Sequence, residues 1–406
     1  MHTDPAPLPD GSAAPAYLGS NQSGMRAHNE RLVLSLIRRR GPLAKAEIAR
    51  ITGLSAQTVS VIMRALEADG LLIKGKPIRG KVGQPSVPMA LAADGAYFFG
   101  LKIGRRSMEL AVVDFLGKVI GRRRRTYNFP TPEAAIAFVH EAIADLTGGL
   151  PRNARDRIAG MGIAMPFFLW NWAQILGVPE ARMAAWRTVD IRAEIAARYA
   201  FPVLMENDAS AACGAEVVFG PAEAPRDFLY FFIGFFVGGG VVLNGALYTG
   251  PSGNAGALGP LPVPGPSGDT RQLIDVASLS GLETRLAAKG IDTASMWTSA
   301  ENWRLDDAVL QSWIDEAAVG LAHAIVSACA IIDFKAVLID GWIPADLRSR
   351  LVAAVAAQID RQDMTGLRTP EIRPGTIGPD ARVLGAASLP LSERFLVDSA
   401  VFSKSA

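Results

Sequence analysis

Residues 41–72, GPLAKAEIARITGLSAQTVSVIMRALEADGLL, constrain this chain more than any other stretch. The pattern predicts two short helices around a tight turn. The first is expected over 44–51, closed by Gly53, because glycine accepts the left-handed conformation of a helix C-terminus. Ser55 is placed to cap the second helix by accepting from a free backbone N–H. On that helix Val59, Ile62, Met63 and Leu66 recur at spacings of three and four and define one buried face. Gln57, Ser60 and Arg64 fall on the opposite face, and with Ser55 and Thr58 they are this helix's candidate DNA-binding residues. A short polar-faced helix behind a glycine turn is the helix-turn-helix arrangement, whose second helix enters the DNA major groove. An ordinary helical hairpin shares the spacing; charge, position and the following segment favour DNA.

A preceding helix is expected over 28–40, with Leu32, Leu36 and Ile37 on one face. After Leu71, the run LLIKGKPIRGKVGQPSVPMALA brackets a Gly-, Pro- and Lys-rich tip with apolar ends, the pattern of a β-hairpin wing. Lys74, Lys76, Arg79 and Lys81 are expected to reach phosphates, with Gln84 in the same tip. Such contacts give affinity and salt dependence without sequence choice. Base reading falls to Gln57, Thr58 or Ser60, and Gln57 leads because a carboxamide pairs bidentately with adenine. For each of them, simple solvent exposure is the alternative.

The charge is divided unevenly. Residues 25–92 hold twelve Lys and Arg against four Asp and Glu, while the whole chain carries only +2. A small basic unit on a large acidic one points to a polyanionic partner for the small unit. The expected organisation is a disordered tail (1–24, rich in Pro, Ala, Gly and Ser), a winged helix-turn-helix (25–92), and a large unit (93–406). The tail lacks the basic start and apolar core of a signal peptide. No apolar run reaches the roughly 18 residues of a membrane span. The two cysteines, Cys213 and Cys329, give no disulfide framework. A cytoplasmic location is expected.

The large unit alternates strand-like and helix-like runs, so it is expected to be α/β. It also echoes itself. FFGLKIGRRSMELAVVDFLGKVI (98–120) and LYFFIGFFVGGGVVLNGALY (229–248) each read as strand, turn, strand, turn with Gly, strand. Two such openings imply two related lobes with a cleft between them, the architecture of actin-like sugar kinases. There the first turns face nucleotide phosphates with backbone N–H groups.

Several segments then match one family in order: the helix-turn-helix and wing ending in VGQPS, GMGIAMP (160–166), ENDASAA (206–212), FIGFFVGGGVVLNGALYTGPSGNAGALG (232–259), IDFKAVLIDG (332–341) and VLGAASLPL (383–391). In these the chain resembles the ROK family (repressors, open reading frames and kinases), in its winged-helix regulator branch. The resemblance implies an N-terminal winged helix-turn-helix followed by a two-lobed, actin-like, ribonuclease H-like ATPase fold.

The departures from that family bear on function. Its kinases are similar in a first phosphate loop whose Asp helps hold Mg²⁺, the metal that neutralises the transferring phosphoryl group. Here Lys102, Gly104, Arg105 and Arg106 stand in that loop. The second loop, Gly-Thr-Gly in the family, reads Gly234, Phe235, Phe236, and Gly238, Gly239 and Gly240 are expected to keep the next turn flexible. The adenine-side Gly-Gly reads Asp340-Gly341. Together these changes argue against ATP-dependent phosphoryl transfer. Asn207 and Asp208 match the family's Asn-Asp pair, whose Asp is the general base in active kinases. In this chain the vestigial base is expected to accept a hydrogen bond from an effector hydroxyl. A buried Asp satisfied by backbone is the alternative. Gly256, Ala257, Leu258, Gly259 and Pro260 replace a Gly-Glu-x-Gly-His run, and Ile274 replaces another sugar-binding Glu, with Asp275 adjacent. The candidate effector group is therefore Asn207, Asp208, Gly253, Asn254 and Asp275. Residues 259–275 hold no Cys or His, so the family's zinc is not expected. The expected protein is a regulator with no catalytic residue, metal or cofactor. Its expected partners are double-stranded operator DNA, a sugar or sugar-derived effector, and a second copy in a dimer. An active sugar kinase carrying a DNA-binding domain is the first alternative. A regulator that senses a protein, or nothing, is the second.

Overall fold

The computed structural model describes residues 22–77, 86–173, 177–265, 267–301 and 303–397. The chain opens with α1 (Gln22–Arg40), α2 (Lys45–Thr52), α3 (Ala56–Ala68), β1 (Leu72–Lys74) and β2 (Met89–Leu91). The turn chemistry is as expected: Gly53 has φ 71° and its amide donates to the Ala49 carbonyl. The Thr58 amide donates to Ser55 Oγ at 3.1 Å. Val59, Ile62, Met63 and Leu66 are buried together. Helix α1 differs from expectation. It starts at Gln22, and Val33 and Leu34 are buried along with Leu32, Leu36 and Ile37. A second apolar face is needed because α1 lies between α2–α3 and the next domain. One core joins Val33 and Ile37 to Phe98, Phe115, Leu391 and Phe395. The wing strands pair antiparallel, Leu72 opposite Leu91, and Leu43 adds a bridge to Met89.

The large unit holds two five-stranded sheets of like design. The first runs β5 (Val119–Thr126), β4 (Ser107–Asp114), β3 (Tyr97–Ile103), β6 (Ile158–Ala164), β7 (Val203–Glu206). The second runs β10 (Ala246–Tyr248), β9 (Val237–Leu243), β8 (Phe228–Ile233), β13 (Ala336–Gly341), β14 (Glu371–Pro374). Each begins with an antiparallel meander and adds two parallel strands. That is the physical content of the sequence echo. A small ribbon, β11 (Pro262–Pro264) and β12 (Thr270–Gln272), lies outside both sheets. Helix α4 (Pro132–Gly148) covers the first sheet, with Phe138, Val139 and Leu146 in its core. In the second lobe α6 (Leu279–Ala288), α7 (Asp307–Cys329) and α8 (Ala345–Ile359) supply Leu282, Trp313 and Leu351 to one core.

Two further helices knit the lobes together. Helix α5 (Asp208–Phe219) packs on β9, and α9 (Ala381–Phe395) packs on α5, β3 and β6. Glycine makes the approach possible. A Cβ on Gly162 would overlap the Ala386 carbonyl, and one on Gly385 would overlap that of Ala211. The same reason corrects the expectation for Gly238, Gly239 and Gly240. They do not form a flexible turn; they lie within β9, where a Cβ on Gly240 would fall 2.5 Å from Cys213 Cβ of α5. Cys213 and Cys329 are both buried thiols.

Candidate functional site

The DNA-facing candidates are divided by what already occupies them. Ser55 Oγ and Thr58 Oγ1 lie 2.8 Å apart and engage each other at the cap. Ser60 is half-buried, and Arg64 Nε donates to the Ser60 carbonyl at 3.2 Å. Gln57 is exposed, without a recorded partner among the described residues. Val61, one turn on, is 45% exposed on the same face. Sequence reading passed over Val61. An apolar residue breaking the polar face of a recognition helix was the available signal, since such side chains meet the thymine methyl group. Lys76 is exposed. Lys74 is exposed and pairs with Glu67 at 2.7 Å. Arg79, Lys81 and Gln84 lie outside the described residues.

The cleft is built from both lobes. Lys102 sits near the end of β3, opposite Glu109 of β4 and beside Ala164 of β6. It is buried, and its Nζ donates to Ser107 Oγ at 3.0 Å. Burial pushes its pKa well below the ordinary lysine range, and Arg382 and Arg124 push the same way against Glu109 and Asp208. Arg382, from the start of α9, pairs with Asp208 at 3.3 Å and stacks over Phe232 at 4.8 Å. The Arg382 cation thus occupies the Asp208 carboxylate.

The first turns of the two meanders meet between the lobes. The Arg105 guanidinium lies 3.9 Å from the Phe235 ring centroid, a cation–π contact. Burial first, then Arg106, lowers the Arg105 pKa to about 10. Arg106 pairs with Glu283 at 3.0 Å. Arg124 of β5 donates to the Thr298 carbonyl at 3.1 Å and stacks on Trp342 at 4.8 Å. Arg122 bridges Glu109 at 3.2 Å and Asp380 at 2.7 Å. A row of arginines from the first lobe thus fastens onto the second.

On the adenine side Asp340 is fully buried and saturated. Its carboxylate accepts from Arg348 at 2.6 Å, from the Gly341 and Gly378 amides at 2.9 Å, and from the Tyr230 hydroxyl at 3.2 Å. The remaining effector candidates are dispersed. Asn207 Oδ1 caps α5, accepting from the Ala209 amide at 3.0 Å. The Gly253 loop approaches Phe167, whose ring lies 3.4 Å from where a Gly253 Cβ would sit. Asn254 is exposed. Asp275 caps a short helix by accepting from the Gln272 amide at 3.2 Å. It lines a surface recess with Pro260, Pro262 and Arg271, and neither Asn207 nor Asp208 takes part in that recess. Among the described residues no group of three His, Cys, Asp or Glu could hold a metal ion, and no helix is long and apolar enough to cross a membrane.

Lys102→Met is expected to stabilise the protein. A buried charge without an ion-pair partner carries a desolvation cost, which methionine of similar length removes. The parent's deficit should shrink as pH rises toward the ordinary lysine range, because the unfolded chain then binds more protons than the folded one. Thermal melts across alkaline pH check both points; a variant less stable than the parent at neutral pH would count against a buried, strained cation.

A winged helix-turn-helix joined through a shared core to a two-lobed kinase-like domain is a combination with known relatives. Residues 98–393 match the ROK family and residues 26–73 match the winged helix-turn-helix DNA-binding domain. The chain belongs to the ROK family. The protein y4fQ of Sinorhizobium fredii is 28% identical over 373 residues, 90% of this chain and 91% of its own length. The xylose repressor of Bacillus subtilis is 26% identical over 240 residues, 59% of this chain and 62% of the repressor. The crystal structure of a ROK family transcriptional regulator, a homologue of the E. coli MLC protein, superposes with a TM-score of 0.66 at 19% identity, covering 94% of this chain and 98% of that one. At that identity the likeness shows the fold.

Proposed function

We propose that this chain is a DNA-binding transcriptional repressor of carbohydrate-related genes. In this reading the kinase-like domain is catalytically inactive and serves effector sensing and dimerisation. The observation that supports the inactive reading most is the contact of Arg105 with Phe235, a cation and an aromatic ring at the two loops that the family resemblance assigns to phosphate. Lys102 in place of a metal-holding carboxylate supports it, as do the names of the Bacillus and MLC-like relatives.

Helix α9 offers the route between sensing and DNA. Its first turn holds Arg382 on Asp208. At its far end Phe395 packs against Phe98 and Phe115 at 5.9 and 5.1 Å, and the Val397 amide donates to Ser35 of α1 at 3.0 Å. A hydroxyl-bearing effector that takes Asp208 from Arg382 would bias α9 and, through it, α1. Such a ligand acts only through its different affinity for the two arrangements. In a symmetric dimer the paired recognition helices would need half-sites about one helical turn apart, or a multiple.

Two assays test this reading. Mobility shifts with genomic fragments should show a preferred fragment, bound with strong salt dependence. Equal weak affinity for every fragment would sink the regulator. A coupled ATP assay across a broad sugar panel should show no turnover; turnover abolished by Asp208→Ala would restore the kinase alternative.

A further inference from the structure

A cavity of about 630 Å³ lies away from Asp208, at the junction of α1 with α5, α9 and β10. Its lining is chemically lopsided. Four arginines face it, Arg31, Arg38 and Arg39 from α1 and Arg226 from the second lobe, against one carboxylate, Glu393. The Nε–H groups of Arg31 and Arg38 are buried without a hydrogen-bond partner. Arg38 is held in place by donating to the Phe115 carbonyl and stacking on the Phe115 and Phe219 rings. Arg31 and Arg39 have no ion-pair partner among the described residues. Burial lowers the Arg39 pKa, and the neighbouring charges of Arg226 and Arg40 lower it further. His28 and three serines (Ser35, Ser388 and Ser392) also line it, and Val217, Val242, Leu247 and Leu389 give it an apolar part.

A buried donor left unpaired carries the full desolvation penalty, and clustered like charges add repulsion. An anion relieves both. The apolar part would cover a hydrophobic body, in keeping with the usual make-up of small-molecule sites. We propose that this cavity is a binding site for a small organic anion, a phosphate monoester or carboxylate with an apolar or aromatic body. The site is separate from the Asp208 cleft. It has one wall on the helix-turn-helix unit and the other on the kinase-like domain, so its occupant would bear on the angle between them. That regulatory consequence rests on the repressor reading; the binding itself does not.

Phenyl phosphate is a suitable probe, with inorganic phosphate and phenol as its two halves. Isothermal titration into the full chain, without DNA, should show saturable binding of phenyl phosphate, at least about tenfold tighter than either half. Arg31→Gln and Arg39→Gln should each weaken it several-fold, and Ala222→Trp, which fills the cavity from its exposed rim, should abolish it. Asp208→Ala, in the other site, should leave it unchanged. Melting curves of the variants show whether they are folded. Binding equal to that of inorganic phosphate, binding indifferent to Ala222→Trp, or no saturation would overturn the site. Because no DNA is present, these outcomes do not depend on whether the chain is a repressor.

Discussion

Asp340→Ala is expected to lower stability by about 3–5 kcal/mol, because removing one partner leaves the other charge uncompensated. Asp340 is fully buried at the end of β13, and the Arg348 side chain is only 16% exposed. Alanine would strand that guanidinium, the Tyr230 hydroxyl and the Gly341 and Gly378 amides together. Tight packing prevents collapse onto the gap, since a Gly375 Cβ would already fall 2.6 Å from the Asp340 Cβ. The corresponding fall in melting temperature is on the order of 10 °C. Asp340→Asn keeps one acceptor oxygen and nearly the same volume, so it should lie between parent and alanine variant. Thermal and urea melts with matched far-UV and fluorescence signals would check the order. An alanine variant that melts with the parent would mean that water or rearranged neighbours satisfy these donors. The result also bears on function. A carboxylate tied this firmly into the end of β13 is a structural fixture, whatever the domain binds.

How far the sequence reveals these features depends on how local their causes are. The helix-turn-helix was legible because each signal acts within one turn: Gly53 closes α2, Ser55 caps α3, and the apolar spacing of α3 sets its buried face. The two lobes were legible because their meanders repeat the same order of strands and turns. Contacts between distant segments were not. Arg382 reaches Asp208 across 174 residues, and nothing in ENDASAA announces its partner. The Arg105–Phe235 contact joins loops that were each identified, but their meeting is a property of how the lobes close. The glycines of β9 misled for a related reason. A glycine run reads as flexible when only its own backbone is considered, whereas here it admits the neighbouring helix α5. The second buried face of α1 likewise depends on a domain that follows it in the chain.

On the DNA side, Gln57→Ala is expected to cost about 1–3 kcal/mol of affinity for the preferred operator, about 5- to 150-fold. Affinity for an unrelated duplex at the same salt should stay nearly constant. The argument rests on what each side chain already does. Ser55 and Thr58 spend their hydroxyls on the α3 cap, and Arg64 is partly held by the Ser60 carbonyl. Gln57 is exposed in the first turn of α3, one turn before Val61, and is free to present both donor and acceptor to a base edge. Lys76→Ala should behave differently. A phosphate contact is blind to sequence, so both duplexes should weaken together and the slope of log affinity against log salt should fall by about one. Val61→Ala keeps all charge and polarity, and should weaken only operators with a thymine beneath it. Anisotropy titrations of the three variants over a salt series, on a selected operator and a scrambled duplex, separate these cases. Equal losses on both duplexes for Gln57→Ala would remove it from base reading. Discrimination would then have to come from Val61, from Arg64 released from Ser60, or from the deformability of the DNA itself.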